Sequence, residues 1–201
     1  MMFLTAQALH GANQGDATAA KLARIMTPLI KFRACRDARK VTGDAMEVRG
    51  GCGYIEEWPD ARLLRDAHLG SIWEGTSNIV ALDVLRAIAR DGCLPVLEAH
   101  ASSLLTDAAL DAETGALFAP TLGKACAFAG EVAASKSEAL SRQAASALYH
   151  VTSAIGLAHE ATKANLPHRL ALARQVLSHR LLPRDPLRRE SDEPVLSGEL
   201  A

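Results

Sequence analysis

The residue types best suited to chemistry lie together at residues 72–79, which read Ile-Trp-Glu-Gly-Thr-Ser-Asn-Ile. Glu74 lies between an aromatic residue and Gly75, so its carboxylate could act as a general base once a ligand excludes water. Residues 76–78 offer hydroxyl groups and open backbone N–H groups at a predicted helix start, an arrangement that favours anions such as phosphate. Taken one at a time, the same residues also fit a solvated loop followed by a helix cap.

A glycine-rich turn precedes this stretch at residues 47–54, which read Glu-Val-Arg-Gly-Gly-Cys-Gly-Tyr. Gly50 and Gly51 let the backbone approach a ligand closely, because they carry no side chain. A third segment, residues 62–66, reads Arg-Leu-Leu-Arg-Asp and lies between the other two. The pattern indicates a base, an anion-binding helix start and a turn open to a ligand, although ordinary helix stops would also use these glycines.

Helices have to position these segments, because the composition favours an all-α fold. Only 4% of the 201 residues are aromatic and alanine is frequent, which suits close-packed helices better than strands. Apolar periodicity predicts a helix over residues 16–26, a second helix that Thr27-Pro28 restarts and that runs over 28–49, and a third over 77–92. Glycine and proline interrupt residues 50–77, where one short helix is expected near 61–66.

Two units and a tail are expected along the chain. Residues 1–92 form the first helical domain, and residues 93–185 form an additional helical bundle of three or four helices. Breaks in this bundle are predicted near 107–114 and at 165–167, where turn-forming residues interrupt the apolar pattern. Residues 186–201 are expected to form a flexible tail, because the chain is acidic and polar from Glu190 on.

Charge and cysteine usage exclude several classes of protein. The formal net charge of −1 gives the whole chain no field that would attract nucleic acid or anionic lipid. The four cysteines form no Cys-x-x-Cys pair and the histidines form no ligand set, so no metal site and no disulfide framework are expected. Without a long apolar run or a secretory signal, the chain is expected to be cytoplasmic and not bound to a membrane.

The order and spacing of three motifs resemble the C-terminal helical domain of the acyl-CoA dehydrogenase family over roughly residues 1–92. The motifs are the Gly-Gly-x-Gly-Tyr turn at 50–54, the Arg-Leu-x-Arg-Asp segment at 62–66 and the aromatic-Glu-Gly-Thr loop at 73–76. Residues 71–86 are most similar to the adaptive-response, AidB-type branch of that family. The Thr-Pro-Leu-Ile-Lys-Phe stretch at 27–32 and the helical extension after Gly92 also resemble that branch.

The resemblance implies an FAD enzyme that desaturates an acyl-CoA thioester between its α and β carbons. Glu74 falls where most of the family keeps its catalytic base, whose own backbone N–H also donates to the thioester oxygen. The positions that resemble cofactor-binding ones are Glu47, Val48, Arg49, Gly50, Gly51, Thr76 and Asn78, and those that resemble substrate-binding ones are Trp73, Gly75 and Arg86. Relatives usually carry glutamine in place of Glu47, so an acid there would need compensation by a cation such as Arg49.

The same resemblance implies partners, because the family places a helical domain and a β-barrel ahead of this segment. The chain is therefore expected to be the C-terminal part of a flavoprotein oxidoreductase of fatty acid metabolism, active only when those domains complete it. Expected partners are acyl-CoA, a chain carrying the N-terminal domains or further copies in a dimer or homotetramer, and an electron-accepting flavoprotein.

Two other interpretations remain open. In the first, the chain belongs to a DNA-associated protective flavoprotein, and a basic face binds phosphates. That face would comprise Arg169, Arg174, Arg180, Arg184, Arg188 and Arg189. In the second, the chain is a catalytically silent helical assembly module.

Overall fold

The computed structural model describes residues 1–185 and residue 187, and within these residues all regular structure is helical, which confirms the all-α fold. The helices are α1 (Met2–Asn13), α2 (Ala17–Val48), α3 (Gly51–Tyr54), α4 (Asp60–Leu69), α5 (Ser77–Ala89), α6 (Leu94–Ala108), α7 (Ala112–Ala134), α8 (Ser141–Lys163) and α9 (Pro167–Arg180), with a 3-10 turn at Glu138–Leu140. No helix among the described residues is both long and apolar enough to cross a bilayer. The predicted tail lies outside the described residues, apart from residue 187.

Helix α2 is one unbroken helix of 32 residues, so the predicted restart at Thr27-Pro28 is wrong. Asp16 begins the helix, because its Oδ1 accepts hydrogen bonds from the backbone N–H groups of Thr18 and Ala19 at 2.8 and 3.1 Å. Pro28 has no N–H to donate to the preceding turn, which normally breaks a helix. Here its ring is buried in the core, and burial of that apolar surface offsets the missing hydrogen bond.

Helix α1 is absent from the sequence-based prediction, and it packs closely against the start of α2. A side chain at Gly11 would lie 2.8 Å from the Cβ atom of Ala19, so the two helices approach at a point where only glycine fits. The remaining breaks match the prediction near 107–114 and at 165–167. A further break at 135–140 is unexpected, because Lys136 rather than glycine adopts the left-handed conformation there, with φ of 54°.

Helix α8 lies at the centre of the bundle and contacts α2, α5, α6, α7 and α9. One of its faces is lined by buried alanines, which let the neighbouring helices approach closely. The buried side chains form one cluster that extends from Ile25 and Val84 to Phe118, Leu148 and Leu177. This core therefore includes residues on both sides of position 92, and the division into two units stays a prediction.

Residues 33–73 form an arm that extends beyond this core. The last buried residue of α2 is Phe32, and the rest of α2 continues outward until α3 and α4 turn back along it. In the arm, Gly53 fits against the end of α2, where a Cβ atom would lie only 2.3 Å from the carbonyl oxygen of Met46. The exposed large apolar side chains of the arm are Val41, Val48, Tyr54, Ile55, Trp58, Leu63, Leu69, Ile72 and Trp73.

Candidate functional site

The loop that carries the predicted base runs back along α2 after the end of α4. Gly70 lies against Cys35, whose Sγ atom would be 3.2 Å from a Cβ atom at that position. The hydroxyl group of Ser71 donates to the carbonyl oxygen of Cys35 at 3.3 Å. These contacts place residues 72–76 beside the middle of α2, where the arm joins the core.

Lys31 of α2 holds this loop through two contacts. Its Nζ atom donates to the carbonyl oxygen of Trp73 at 3.1 Å and to Oε2 of Glu74 at 3.2 Å. The Lys31 side chain is three-quarters buried, whereas that of Glu74 is 70% exposed. The ammonium group therefore fixes one oxygen of the carboxylate and leaves the other, Oε1, open to solvent.

The backbone at Glu74 has an unusual conformation for a residue with a side chain. Its φ is 57° and that of Gly75 is 110°, so two successive residues lie in the left-handed region. Such strain persists where surrounding contacts hold it, and it is enriched at functional sites. Within the described part of the chain, the backbone N–H of Glu74 donates no hydrogen bond. The bend thus presents a carboxylate oxygen and a free N–H donor on the same residue.

Glu74 borders a groove of about 540 Å³ between α1, α2 and α5. Its walls are largely apolar, and its charged members lie on α2, on α5 and on the loop. The lining residues are Leu9, Ala12, Ala20, Ala23, Arg24, Thr27, Pro28, Lys31, Glu74, Ile79, Val80, Asp83 and Arg86. Such a groove has room for an apolar chain beside a base.

An ion-pair network fixes one side of this groove. Arg24 donates to both carboxylate oxygens of Asp83 at 2.9 and 3.1 Å, and its Nε lies 2.9 Å from Asp91. The hydrogen bond to Asp83 raises the pKa of Arg24 above its usual value, with smaller contributions from the charges of both acids. The bidentate pair joins α2 to α5, two of the three helices that border the groove.

The start of α5 is open, as the sequence predicts. Thr76 is the N-cap residue but its side chain makes no capping hydrogen bond, and Thr76 and Asn78 are exposed. The first N–H groups of a helix lack partners within the helix and attract anions. The helix start that carries these two predicted cofactor-binding residues can therefore accept a phosphate group.

The other predicted cofactor-binding residues lie at the far end of the arm. Glu47, Val48, Arg49, Gly50 and Gly51 are all exposed there. Sixteen helical residues separate position 47 from position 31, which corresponds to roughly 24 Å along α2. One copy of the chain therefore does not bring this turn to the carboxylate that Lys31 holds.

Arg49 does not compensate the charge of Glu47 as expected. Its Nε lies 3.2 Å from Oδ2 of Asp60, and its guanidinium group stacks over the ring of Trp58 at 5.0 Å. The arginine is thus engaged in holding α4 against the end of α2. Glu47 has no ion pair among the described residues, so the sequence-based argument for cofactor contact is weakest at this position.

The predicted substrate-binding residues divide between the loop and α5. Trp73 is 62% exposed beside Glu74, and Gly75 forms the bend. Arg86 lies two to three turns along α5, where it borders both the groove of Glu74 and a second groove of about 280 Å³. Only a long contact of 4.0 Å joins Arg86 to Asp83, so its guanidinium group can reach a ligand.

Sequence reasoning missed Lys31, Arg24 and Asp83. The apolar pattern places Lys31 on the outer face of its helix, and its partners lie 42 and 43 residues away in the sequence. Arg24 and Asp83 are 59 residues apart. No local pattern could have joined these pairs, because only the packing of the loop and of α5 on α2 brings them together.

The arginines of the proposed DNA-binding face are only partly available. Arg169 forms an ion pair with Glu160, Arg174 donates to the hydroxyl group of Thr114, and Arg184 contacts His179. Arg188 and Arg189 lie outside the described residues. For metals, no cluster of three or more His, Cys, Asp or Glu side chains with ligand geometry occurs in residues 1–185 or at 187.

Comparison with known proteins identifies the first part of the chain. The family model "Acyl-CoA dehydrogenase, C-terminal domain" matches residues 2–89. The match confirms, for residues 2–89, the resemblance seen in the three motifs. The family is one of flavoprotein oxidoreductases.

The relatives that this chain matches include one protein from Escherichia coli and one from Caenorhabditis elegans. Putative acyl-CoA dehydrogenase AidB of Escherichia coli is 47% identical over 75 residues, which are 37% of this chain and 14% of that protein. Acyl-CoA dehydrogenase family member 11 of Caenorhabditis elegans is 40% identical over 78 residues, which are 39% of this chain and 13% of that protein. The matches thus span about one seventh of the length of these relatives.

Solved structures extend the likeness beyond residue 89. The crystal structure of C. elegans ACDH-11 in complex with C11-CoA aligns with a TM-score of 0.80 and 23% identity, over 91% of this chain and 34% of that one. A structure titled Bd2924 apo-form aligns with a TM-score of 0.60 and 29% identity, over 78% of this chain and 29% of that one. The first alignment concerns the fold alone, and it includes helices of the second half of the chain.

Proposed function

We propose that this chain supplies the catalytic base, Glu74, for the α,β-dehydrogenation of an acyl-CoA thioester in an FAD-dependent flavoprotein. The observation that carries the proposal is the bend at Glu74. It presents an open carboxylate oxygen and an undonated N–H on one residue, beside an apolar groove. That combination is what removal of a weakly acidic α-proton requires, because the base and the stabiliser of the developing enolate must act together.

Each residue around the bend has a separate part in this reaction. Oε1 of Glu74 takes the α-proton, while Lys31 holds Oε2 and thereby restricts the carboxylate to one orientation. The backbone N–H of Glu74 donates to the thioester oxygen as negative charge develops there. Trp73 shields the reacting carbons from water, and Arg86 pairs with an acidic group of the CoA part.

The cofactor proposed for this reaction is FAD, and two features of the chain fit it. The open start of α5 with Thr76 and Asn78 accepts phosphate, and the backbone is open at Gly50 and Gly51, where an added Cβ atom would meet no other atom within 4 Å. Held by these residues, FAD would supply the redox chemistry, as the hydride acceptor for the β carbon. Because these two features lie roughly 24 Å apart along α2, each contacts a different cofactor molecule, which requires at least two copies of the chain.

The exposed apolar side chains of the arm support the same conclusion about assembly. Monomeric proteins rarely expose a large contiguous apolar surface, and such surfaces mark interfaces. We therefore propose that the arm joins copies of the chain into a dimer or tetramer. This surface also supports the second candidate function, a helical assembly module, in which the arm associates but Glu74 performs no chemistry.

The test is a turnover assay on the flavoprotein formed with a chain that carries the upstream domains. Glu74→Gln keeps the size and hydrogen bonds of the side chain but removes the base, so FAD content stays at its wild-type level and turnover falls at least about a hundredfold. The matched control is Glu98→Gln on α6, an exposed acid outside the groove. Full turnover by the Glu74→Gln protein would exclude Glu74 as the base and leave the assembly function.

A further inference from the structure

A cluster of arginines lies where α2, α8 and α9 meet. Arg33, Arg36 and Arg39 follow one another at three-residue spacing along one face of α2. Arg142 lies in the first turn of α8, and Arg180 is the last residue of α9. Arg36, in the middle of this row, comes five residues after Lys31. The row therefore faces about 140° around the axis of α2 from the side on which Lys31 holds the loop of Glu74. The cluster is therefore distinct from the candidate active site.

The cluster has one acid for five arginines. Asp37 forms an ion pair with Arg33. Among the described residues, no carboxylate forms an ion pair with the other four, which are Arg36, Arg39, Arg142 and Arg180. Glu138 lies one turn before Arg142 but does not come within ion-pair distance of it. The positive charge of the cluster is thus largely uncompensated by the described part of the chain.

Partial burial makes the uncompensated charge on α2 unusual, whereas Arg142 and Arg180 are exposed. Arg36 is half-buried, and its guanidinium group lies 5.5 Å from the centre of the Phe32 ring. The Nε atoms of Arg33 and Arg39 are buried and have no hydrogen-bond partner. An unpartnered donor on a charged group costs free energy, so these two arginines can still gain stability from a further acceptor.

The electrostatic consequences agree with this geometry. Burial lowers the pKa of Arg36 from its usual value, and the charges of Arg142, Arg33 and Arg39 lower it further. His150 lies under the same cluster, and burial together with Arg33 and Arg180 lowers its pKa to about 4. His150 is therefore neutral at pH 7 and adds no charge to the cluster. The arginines repel one another, and the fold keeps them together at a cost to its own stability.

We propose that this cluster is a binding site for a phosphate-bearing anion, held by Arg36, Arg39 and Arg142. Guanidinium groups match phosphate oxygens with paired N–H donors, which ammonium groups do not. A dianion placed between the three groups accepts hydrogen bonds from their guanidinium groups, including that of Arg39, and removes the repulsion. The phosphate comes either from a small molecule or from a nucleic-acid backbone, and the chemistry of recognition is the same for both.

The first test uses the purified chain at low salt without any anion. Arg36→Met keeps the apolar contact with Phe32 but removes one repelling charge, so the melting temperature rises by about 2 °C. Arg36→Lys keeps the charge and leaves the melting temperature near the wild-type value. A fall in the melting temperature of Arg36→Met would contradict the proposal, because it would show that Arg36 already has favourable partners in the chain.

The second test measures binding of pyrophosphate by calorimetry at fixed ionic strength. The wild-type chain binds it, and Arg36→Met and Arg142→Met each weaken the affinity about tenfold through loss of a charge-assisted contact. The control Arg62→Met removes an exposed arginine of α4 and leaves the affinity unchanged. If pyrophosphate does not bind, or if the control variant weakens binding equally, the cluster is not a phosphate site.

A duplex oligonucleotide of mixed sequence distinguishes the two sources of phosphate. If a nucleic-acid backbone is the ligand, the duplex binds more tightly than pyrophosphate, loses affinity steeply with salt, and depends on the same two arginines. If a small molecule is the ligand, pyrophosphate binds more tightly than the duplex, again in dependence on Arg36 and Arg142. Duplex binding that is insensitive to both substitutions would overturn the assignment of the cluster.

Discussion

The arm and the helical bundle use the same kind of helix in opposite ways. In the bundle, α7 and α8 bury Phe118, Leu148, Val151 and Ile155 completely, and small alanine side chains bring the helices close together. In the arm, large apolar side chains such as Ile72 are exposed, and the buried positions are occupied by small residues such as Gly53. The bundle thus stabilises the single chain, whereas the arm leaves large apolar side chains exposed.

The candidate site lies at the boundary between these regions, and that location explains its construction. Lys31 belongs to the last turns of α2 that pack on the core, and it holds a loop that follows the arm. A rigid helix thereby supports a residue in a strained conformation, while the other side of the loop stays open. A base needs both properties, since it must be oriented and yet reachable by substrate.

The largest expected effect comes from the bundle. Phe118→Ala removes a fully buried aromatic side chain and leaves a cavity, so the free energy of unfolding falls by about 3–5 kcal/mol. The melting temperature should fall by about 10 °C, as measured by circular dichroism. The neighbouring Leu117→Ala, at a 39% exposed position of the same helix, provides the control. Equal losses in both variants would show that the core is not where the structure places it.

The next effect is a dependence of stability on pH that originates in the bundle. Burial, reinforced by the charges of Arg33 and Arg180, lowers the pKa of His150 to about 4, below the usual value near 6.5. The unfolded chain therefore binds a proton at a higher pH than the folded chain does. Stability is complete above pH 6.5 and falls as the pH drops from 6.5 to 4, by roughly 3 kcal/mol at most.

Denaturant titrations at several pH values test this slope. His150→Gln keeps a neutral polar side chain and should flatten the dependence between pH 6.5 and 4, whereas His10→Gln, at an exposed position of α1, should leave it unchanged. Below that range Asp107 contributes with the same sign. Its hydrogen bonds from Lys163 and His159 lower the pKa of its carboxyl group, so their stabilising effect is lost as that group is protonated. An unchanged slope in His150→Gln would contradict the burial assigned to this histidine.

Substitutions in the arm should change association much more than stability. Leu63→Ser and Ile72→Ser replace exposed apolar side chains, so the free energy of unfolding changes by no more than about 0.5 kcal/mol. Sedimentation should show weaker self-association of both variants, because apolar area is lost from the proposed interface. Leu117→Ser changes an exposed leucine of the bundle and should not alter the oligomer. If it weakens association as much as the arm variants do, the interface is not the arm.

The smallest expected effect concerns the loop itself. Lys31→Met breaks both contacts to residues 73 and 74, so the amide of Trp73, which donates to the carbonyl oxygen of Leu69 at 3.0 Å, should exchange about three to ten times faster with solvent. Lys21→Met, at an exposed position earlier on α2, should leave that exchange unchanged. Exchange that is equally slow in Lys31→Met would mean that the strained backbone, and not the lysine, holds the bend.

Local patterns predict much of the fold but little of the tertiary pairing. The all-α class, the start of α5 and the short helix α4 follow from apolar spacing and turn residues. Pro28 predicts a break because proline has no N–H for the helical hydrogen bond. The helix continues through it because its ring is buried by the surrounding helices. The same limit applies to the site. The motif around Glu74 is recognisable from residue types, but its partner Lys31 could be found only from the fold.

The separation of the two glycine-containing motifs is a second result that sequence could not supply. Gly50 and Gly75 both adopt positive φ. The resemblance predicts cofactor contact for Gly50 and substrate contact for Gly75. The length of α2 places them at opposite ends of the arm. Under the proposed function, the two motifs of one chain therefore contribute to two different sites. The chemistry then depends on the assembly of at least two copies.

Proton transfer at the α carbon tests the role of Glu74 most directly, since it isolates the base from the redox step. In the flavoprotein completed by the upstream domains, acyl-CoA is incubated in D₂O and the α position is analysed by mass spectrometry. The wild-type and Glu98→Gln proteins should incorporate deuterium at the same rate, and Glu74→Gln should incorporate none above the rate without protein. Incorporation by Glu74→Gln at the wild-type rate would contradict the assignment of this carboxylate as the base.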